Sequence, residues 1–212
     1  MAKSKSSRRW LREHFNDRFV QEAQKSGYRA RSAYKLIEIQ GKDRLIKSGH
    51  RVLDLGAAPG GWCQVLTEHV GDSGLVIAVD LLEIPPLAGV EMVMGDFTTT
   101  EVQSLIFDLM GQQAADLVLS DMAPNMTGNR VVDQARSMGL VESVLSVLPR
   151  FLRPGGSYLV KIFEGTGTDV YLKNLRGCFD RVIVRKPEAS RSRSSEIYYL
   201  AKGYRPDKGC SQ

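Results

Sequence analysis

Short apolar runs rich in β-branched residues alternate with stretches of helical periodicity from residue 51 onward. The runs predict strands at 51–55, 75–80, 91–95, 116–120, 157–163, 181–185 and 196–202. Apolar residues at helical spacing predict helices near 61–69, 101–110, 134–152 and 168–176. Such alternation indicates an α/β fold in which helices cover both faces of a mostly parallel sheet. Only residues 186–195 join the last two runs, too few for a crossover helix, so we expect that pair to be antiparallel.

The chain before residue 51 follows a different pattern. Residues 10–25 and 28–40 predict two helices that are separated at Ser26–Gly27. No internal repeat or interdomain linker interrupts the sequence. We expect a flexible basic tail at 1–9, one domain at 10–205 whose residues 10–47 present a basic surface, and a flexible tail at 206–212.

Composition is that of an ordinary soluble globular protein. The chain has 212 residues, of which 42% are hydrophobic and 25% are charged, enough for one sizeable core. No run approaches the ~18 uncharged apolar residues of a spanning helix, and no apolar run follows the N-terminal positive charges as in a secretory signal. The cysteines are too scattered for a disulfide framework or a zinc site: Cys63, Cys178 and Cys210. We therefore expect a cytoplasmic protein with no membrane span and no metal.

Charge is segregated along the chain, although the net charge is only +5. Residues 1–47 carry a net charge of +8, residues 48–180 carry −8 and residues 181–208 carry +5. Two basic ends around an acidic middle favour a polyanionic partner held by both ends. Uneven solvated charge, without such a partner, explains the same pattern equally well.

A glycine-rich turn follows the first predicted strand and opens the next helix. It comprises Gly56, Pro59, Gly60, Gly61 and Trp62, with two alanines between. A strand, a glycine-rich turn and a helix in this order are typical of a nucleotide site, because glycine lets the backbone turn tightly and approach a ligand. A tight turn without a ligand is the weaker interpretation of so many small residues. We expect the ligand to lie beyond the carboxyl ends of the strands.

Acidic residues follow three of the predicted strands. Asp80, Asp96 and Asp121 each end an apolar run, so they gather at the sheet edge that carries the glycine-rich turn. Any one of them alone would more often be a helix cap or a turn residue. Three acids disfavour a pyrophosphate and favour a ligand with ribose, amino and cationic groups, such as S-adenosylmethionine. No P-loop lysine follows the glycines, which disfavours ATP.

A dinucleotide cofactor is a more distant alternative. The spacing of Gly56, Ala58 and Gly61 resembles a dinucleotide fingerprint. Tyr198 and Lys202 have the spacing of a dehydrogenase pair, but residues four apart in a strand do not meet as they do on a helix.

Four motifs resemble those of the FtsJ/RrmJ family of ribosomal RNA 2′-O-ribose methyltransferases. They are DLGAAPGGW, SDMAPN, VKIF and RSRSSEIY, in the family's order, and the resemblance extends from about residue 10 to residue 203. It implies a class I, Rossmann-like methyltransferase fold with a seven-stranded sheet and an antiparallel last strand. It also implies S-adenosylmethionine as the cofactor. The target that it implies is a uridine in the A loop of large-subunit (23S) ribosomal RNA, methylated in the course of subunit maturation.

The resemblance further implies a catalytic tetrad formed by Lys35, Asp121, Lys161 and Glu196. The cofactor contacts that it implies are Gly60, Trp62, Asp80, Asp96 and Asp121. A ribose hydroxyl must lose its proton as it attacks a methyl group, and burial of Lys161 near a second ammonium would favour the amine that can accept this proton. We expect Lys161 to be the proton acceptor, oriented with the hydroxyl by the other three. A solvated lysine remains the alternative for Lys35, and a surface ion pair for Glu196.

The basic ends of the chain adjoin two residues of this tetrad, so we expect them to bind RNA phosphates. The side chains concerned are Arg8, Arg9, Arg12, Arg18, Lys25, Arg29, Arg31, Arg185, Lys186, Arg191 and Arg193. Trp10, Tyr28 and Tyr34 are candidates for base stacking, although aromatic residues of amphipathic helices more often pack in the core. We expect a monomer that binds ribosomal RNA or the large subunit. A transfer-RNA or mRNA-cap methyltransferase, or a ribosome-assembly factor with incidental methylation, stays open.

Overall fold

The computed structural model of the chain describes residues 17–191 and 194–208. The helices are α1 (Arg18–Ser26), α2 (Ala33–Asp43), α3 (Gly61–Val70), α4 (Thr100–Leu109), α5 (Arg130–Phe151) and α6 (Thr168–Cys178). The strands are β1 (Arg51–Leu55), β2 (Leu75–Asp80), β3 (Val90–Met94), β4 (Ala115–Ser120), β5 (Leu152–Phe163), β6 (Phe179–Arg185) and β7 (Glu196–Tyr204). A 3₁₀ helix, Pro206–Lys208, follows β7. The predicted N-terminal tail, residues 10–16 of the first predicted helix and residues 209–212 lie outside the described residues.

The seven strands form one sheet in the order β3-β2-β1-β4-β5-β7-β6. The first five pair in parallel, whereas β7 runs antiparallel to both β5 and β6. The predicted α/β class, with a mostly parallel seven-stranded sheet and an antiparallel last strand, is therefore confirmed. The short 186–195 connection accounts for the antiparallel strand, because it leaves no room for a crossover.

The order of the strands reverses at β1, which lies between β2 and β4. In the parallel registers Leu55 pairs with both Val79 and Ser120, and Asp80 pairs with Met94. The residues that follow these strands therefore leave the sheet at one edge, next to the reversal. Open α/β sheets bind ligands at this kind of position, so the topology brings the predicted site residues together.

Side chains of alternate strand positions fill two cores, one on each face of the sheet. One face packs against α4, α5 and α6 through Ile106, Leu148 and Leu175, and the other against α2 and α3 through Leu36 and Leu66. Because both faces are covered, the central strands are apolar throughout rather than alternating. Within the described ranges, no helix is long and apolar enough to cross a membrane.

Three element boundaries differ from the sequence prediction by five residues or more. The predicted helix over 10–25 is wrong as one continuous helix, because Asp17 is extended and its side chain caps α1 by accepting a bond from Phe19 N. Helix α2 begins at Ala33 instead of residue 28. Strand β5 begins at Leu152 rather than at residue 157, because Leu152 pairs with Ala115 and a register irregularity absorbs the Pro-Gly-Gly segment that follows.

Candidate active site

The four tetrad residues meet at the carboxyl edge of the sheet. Lys35 Nζ lies 2.7 Å from Glu196 Oε1, and Lys161 Nζ lies 3.2 Å from Asp121 Oδ1. Lys161 Nζ also donates to the backbone carbonyl of Asp121, at 2.5 Å. The structure therefore brings together all four residues that the resemblance implied, as two lysine–carboxylate pairs.

Strand pairing explains why residues distant in sequence converge here. In the β5–β7 ladder Lys161 lies opposite Tyr198, and Glu196 precedes Tyr198 by two residues. Directly opposed residues, and residues two apart on one strand, project from the same face. Lys161, Tyr198 and Glu196 therefore share the face against which α2 packs, and α2 supplies Lys35 to them.

Both lysines are buried, with 8% of Lys35 and 7% of Lys161 exposed. This burial argues against the two alternatives, which were a solvated helix lysine at Lys35 and a surface ion pair at Glu196. Removing an ammonium from water is costly unless a carboxylate compensates it, and here each lysine has one. Each carboxylate therefore compensates and positions the buried lysine that it contacts.

The electrostatics of the site favour a charged Asp121 and a protonated Tyr198. Burial alone would raise the pKa of Asp121, but Lys161, Lys35 and a hydrogen bond from Tyr198 outweigh burial, so this pKa lies below its usual value. Burial and the nearby Asp121 and Glu196 carboxylates raise the pKa of Tyr198 well above its usual value. The Tyr198 hydroxyl thus remains a donor, and it donates to Asp121 Oδ1 at 2.6 Å.

A cavity of about 710 Å³, called here the strand-end cavity, opens next to the tetrad. Four of the predicted site residues line it: Gly56, Asp80, Asp96 and Asp121. Asp80 accepts backbone bonds from Ala58 N and Leu82 N, both at 2.9 Å, which fixes its carboxylate against the glycine-rich turn. A carboxylate offers about four acceptor positions, so further ones remain for ribose or amino groups. The cavity has the size of a small-molecule site.

Glycine is required at Gly56 for two reasons. Its φ is +79°, and a Cβ built there would lie 2.0 Å from Met122 Cγ. Any side chain would therefore clash with the loop after β4, which carries Asp121 into the site. The glycine allows the β1 and β4 loops to approach each other at the strand-end cavity.

The other predicted cofactor residues lie away from the strand-end cavity. Pro59, Gly60, Gly61 and Trp62 are absent from the described residues that line the strand-end cavity. Trp62 is 3% exposed, and its Nε1 donates to Ser32 O at 2.8 Å. Its ring centroid lies 5.9 Å from that of Tyr198. Trp62 thus anchors the start of α2, and with it Lys35, against β7; a cofactor contact of these four residues stays a prediction.

The predicted phosphate-binding arginines are largely engaged within the protein. Arg31 bonds the Asp17 carboxylate and the carbonyl of Ala189. Arg185 forms two bonds of 2.7 Å with the carboxylate of Asp43. Several other predicted RNA contacts lie outside the described residues: Arg8, Arg9, Trp10, Arg12 and Arg193. For Arg31 and Arg185, the geometry favours a structural role over a phosphate contact.

Arg29 has a role that sequence reasoning missed. Its guanidinium donates to the carbonyls of Pro85 at 2.6 Å, Pro86 at 2.7 Å and Pro59 at 3.3 Å. It thereby joins the glycine-rich turn to the loop after β2, whose first residues line the strand-end cavity. No sequence signal could reveal this clamp, because its acceptors are backbone carbonyls.

The predicted stacking aromatics pack against other rings. Tyr34 lies between Phe19 and Tyr28, with centroid distances of 5.7 and 5.8 Å. The hydroxyl of Tyr28 donates to the carboxylate of Glu68. These contacts support the core interpretation for both tyrosines.

Asp54 is a second residue that the sequence did not single out. It is 1% exposed in β1, and the Cys63 thiol donates to its Oδ2 at 3.4 Å. Among the described residues its Oδ1 has no hydrogen-bond partner. Burial, with the nearby Asp121 and Asp80 charges, raises its pKa to about 7. Burial likewise raises the pKa of Cys63, which agrees with packing rather than nucleophilic chemistry.

Comparison with known proteins agrees with this geometry. The chain is 52% identical to the ribosomal RNA large subunit methyltransferase E of Cellvibrio japonicus, over 96% of this chain and 97% of that protein. It is 53% identical to the protein of the same name from Marinobacter nauticus, over 97% of this chain and 99% of that protein.

Solved structures resemble the chain as well. A ribosomal RNA methyltransferase of Plasmodium falciparum has a TM-score of 0.75 at 30% identity, covering 84% of this chain and 98% of that one. Fibrillarin, in its complex with Nop5p, has a TM-score of 0.56 at 20% identity over 79% of each chain, which shows the fold alone. The model of the FtsJ-like methyltransferase family matches residues 28–204. The chain therefore belongs to the FtsJ-like methyltransferase family and is a methyltransferase.

Proposed function

We propose that this protein transfers the methyl group of S-adenosylmethionine to a ribose 2′-oxygen of large-subunit ribosomal RNA, at a uridine of the A loop. The observation that carries the reaction type is the Lys161–Asp121 pair, in which Asp121 lines the strand-end cavity and accepts a hydrogen bond from Tyr198, the residue opposite Lys161 on β7. The relatives named large-subunit methyltransferase E support the choice of RNA. The uridine and the A loop come from the motif resemblance.

The residues of the strand-end cavity fit S-adenosylmethionine. Asp80 and Asp96 follow adjacent parallel strands and can accept bonds from ribose hydroxyls and an adenine amino group. Leu82 and Phe97 line the same cavity and offer apolar surface to a purine. The negative charge of Asp121 suits a cationic ligand. When bound, S-adenosylmethionine would supply a methyl group on a sulfonium sulfur. An oxygen nucleophile can attack that methyl group, with the thioether as the leaving group.

In this proposal the tetrad positions and deprotonates the acceptor hydroxyl. Lys161 Nζ in its amine form takes the proton, while Asp121 and its carbonyl fix the nitrogen by the two contacts at 3.2 and 2.5 Å. Lys35 places a positive charge where negative charge develops on the ribose oxygen. Glu196 holds Lys35 and accepts a hydrogen bond from Ser190 Oγ at 2.7 Å.

All four residues belong to one chain, so we propose that the protein acts as a monomer. We propose that it acts in the cytoplasm, where bacterial ribosomal subunits are assembled.

The test is methyl transfer from labelled S-adenosylmethionine to three substrates in parallel, followed by mapping of the modified nucleotide. The substrates are transfer RNA, protein-free ribosomal RNA, and large subunits from cells that lack this enzyme. We expect label on a ribose 2′-oxygen of the large-subunit RNA. Label on transfer RNA alone would overturn the substrate but keep the chemistry. Absence of label on all three, with the methyl donor bound, would instead favour an assembly factor.

A further inference from the structure

A second cavity, of about 600 Å³ and called here the side cavity, lies beside the tetrad. Phe163 lines it, and the centroid of its ring is 5.7 Å from Lys161 Nζ. Ser195 also lines it and directly precedes Glu196. The strand-end cavity lies over the ends of β1 to β4, whereas the side cavity lies over the ends of β5 and β7. The tetrad therefore lies between the two.

A buried hydroxyl in the side cavity has no partner. Ser137, on α5, is 5% exposed and lines this cavity. Its Oγ makes no hydrogen bond within the part of the chain that the structure describes. Leaving a buried hydroxyl unpaired costs free energy, and most buried hydroxyls have a partner in the protein, in water or in a ligand.

The walls of the side cavity combine apolar surface with acidic groups. Met126, Val131 and Met138 provide the apolar surface, together with Phe163. A flat group with apolar faces and a polar edge fits such walls, and a volume of this size accommodates one. Glu142 and Glu164 also line the cavity.

The carboxylates discriminate between the parts of an RNA chain. Together with Asp133 they outnumber Arg130 in the lining, so the cavity as a whole repels a phosphodiester, which is also negative. They can accept hydrogen bonds from the exocyclic amino group of adenine, cytosine or guanine, which uracil lacks. The lining thus favours a base over the backbone, and an amino-bearing base over uracil.

We propose that the side cavity binds an amino-bearing nucleobase of the substrate RNA, adjacent to the ribose that is methylated, with Ser137 Oγ donating to or accepting from the edge of that base. This inference rests on the proposed function. In this arrangement the methyl donor reaches the tetrad from the strand-end cavity. The base holds the RNA in the side cavity, on the opposite side of the tetrad. Anchoring on both sides would align the ribose oxygen with the methyl group.

Ser137→Ala separates this role from a structural one. Removing an unpaired hydroxyl should leave the thermal midpoint unchanged or raise it, since no bond within the described protein is lost. The KM for RNA should rise about three- to tenfold, with the Kd of the methyl donor unchanged. The matched control is Ser146→Ala on the same helix, whose Oγ bonds Ser143 O at 2.8 Å and which should leave the KM for RNA unchanged. An unchanged KM in Ser137→Ala would overturn the contact with Ser137.

A binding experiment tests the cavity without relying on activity. In protein labelled at methionine methyl groups, adenosine and cytidine should shift the NMR signals of Met126 and Met138, but leave buried Met110 unmoved. Val131→Trp should abolish these shifts, because Val131 is 79% exposed at the cavity and can be enlarged without disturbing the core. Val170→Trp, at another exposed valine, 64% exposed on α6, should preserve them.

The outcomes distinguish the inference from the function on which it rests. Shifts lost in Val131→Trp, together with a KM for RNA raised roughly tenfold, would support the nucleobase site. Absence of shifts with every nucleoside would overturn it, even if the wild-type protein methylates large-subunit RNA. Equal shifts with uridine would overturn the preference for an amino group. Shifts in a protein that methylates no ribosomal RNA would overturn the proposed substrate and leave the cavity assignment standing.

Discussion

At the carboxyl edge of the sheet two buried lysines pair with carboxylates beside an open cavity, whereas the arginines of the N-terminal region bond to the protein's own scaffold. Lys35 pairs with Glu196 and Lys161 pairs with Asp121, which lines the strand-end cavity. The guanidinium of Arg29, by contrast, donates to the backbone carbonyls of Pro59, Pro85 and Pro86. Lys35 and Arg29 belong to the same basic segment of the sequence, yet only Lys35 reaches the tetrad.

The difference teaches that the number of basic residues is a poor guide to an RNA surface. Arg31 and Arg185, two of the residues expected to bind phosphate, pair with Asp17 and Asp43. A guanidinium that already donates to a buried carboxylate would lose that pairing in order to meet phosphate. Long-range attraction to RNA remains, because pairing reduces but does not abolish the basic character of this region.

Among the carboxylates, the largest effect is expected when Asp121 is neutralised. Asp121→Asn removes the carboxylate that positions Lys161 Nζ and weakens the bond from Tyr198, so single-turnover methyl transfer should fall about thousandfold. Asp116→Asn is the control. Asp116 pairs with the half-exposed Arg153 near the start of β4, whereas Asp121 follows the end of that strand. The transfer rate of this control should match the wild type. Comparable losses in both variants would mean that the Asp121 effect is merely structural.

The pKa of Asp54 is raised, whereas that of Asp121 is lowered. The two buried carboxylates should therefore make protein stability depend on pH in opposite directions. The pKa of Asp54 is raised to about 7 by burial and by neighbouring carboxylates, so the folded state keeps its proton above the ordinary value of 3.8. Its contribution to stability is complete below that value and is lost as the pH rises toward 7. The free energy of unfolding should therefore fall with pH by about 4 kcal/mol more in the wild type than in Asp54→Asn. Urea unfolding between pH 4 and 8 measures this; parallel curves would contradict the assignment.

Arg29→Met tests whether the N-terminal arginines are structural. Losing the clamp on Pro59, Pro85 and Pro86 should loosen the glycine-rich turn and raise the Kd of the methyl donor roughly tenfold. The salt dependence of RNA binding should not change. Lys25→Met, at an exposed lysine of α1, should do the reverse: it should reduce the slope of log affinity against log salt by about one and leave donor binding intact. A reduced slope in Arg29→Met would show that Arg29 meets phosphate.

The smallest effect is expected at Glu196. This carboxylate acts on the reaction through Lys35, which it holds at 2.7 Å, and Tyr198 still links the remaining tetrad residues. Glu196→Gln should lower the rate of transfer about tenfold at saturating RNA, without changing donor affinity. A loss as great as that of Asp121→Asn would assign Glu196 a direct contact with the ribose.

The sequence predicted the sheet edge well because parallel topology itself gathers strand ends. Correct strand boundaries, and the rule that parallel strands end together, were enough to predict that one edge carries Asp80, Asp96 and Asp121. Lys35 and Glu196 depended on the family resemblance, since a helix lysine and a strand-end glutamate have no local signature. The resemblance also named Trp62, but only the structure shows that its indole packs against Tyr198.

The remaining features escaped prediction because their partners are distant or are backbone atoms. The clamp by Arg29 depends on carbonyls 30 to 57 residues away. The break before α1 depends on whether Asp17 caps the helix or continues it. The unpaired Oγ of Ser137 can be recognised only once every neighbour is placed.

The most direct test of the account compares Lys161→Met with Lys202→Met in single-turnover methyl transfer, with donor binding measured in parallel. Both are lysines of the central antiparallel ladder, but Lys202 Nζ donates to the carbonyl of Asp43, away from the tetrad. We predict that Lys161→Met abolishes transfer while binding S-adenosylmethionine as the wild type does, and that Lys202→Met retains transfer. Transfer by Lys161→Met within tenfold of the wild-type rate would contradict the assignment of Lys161 as the proton acceptor.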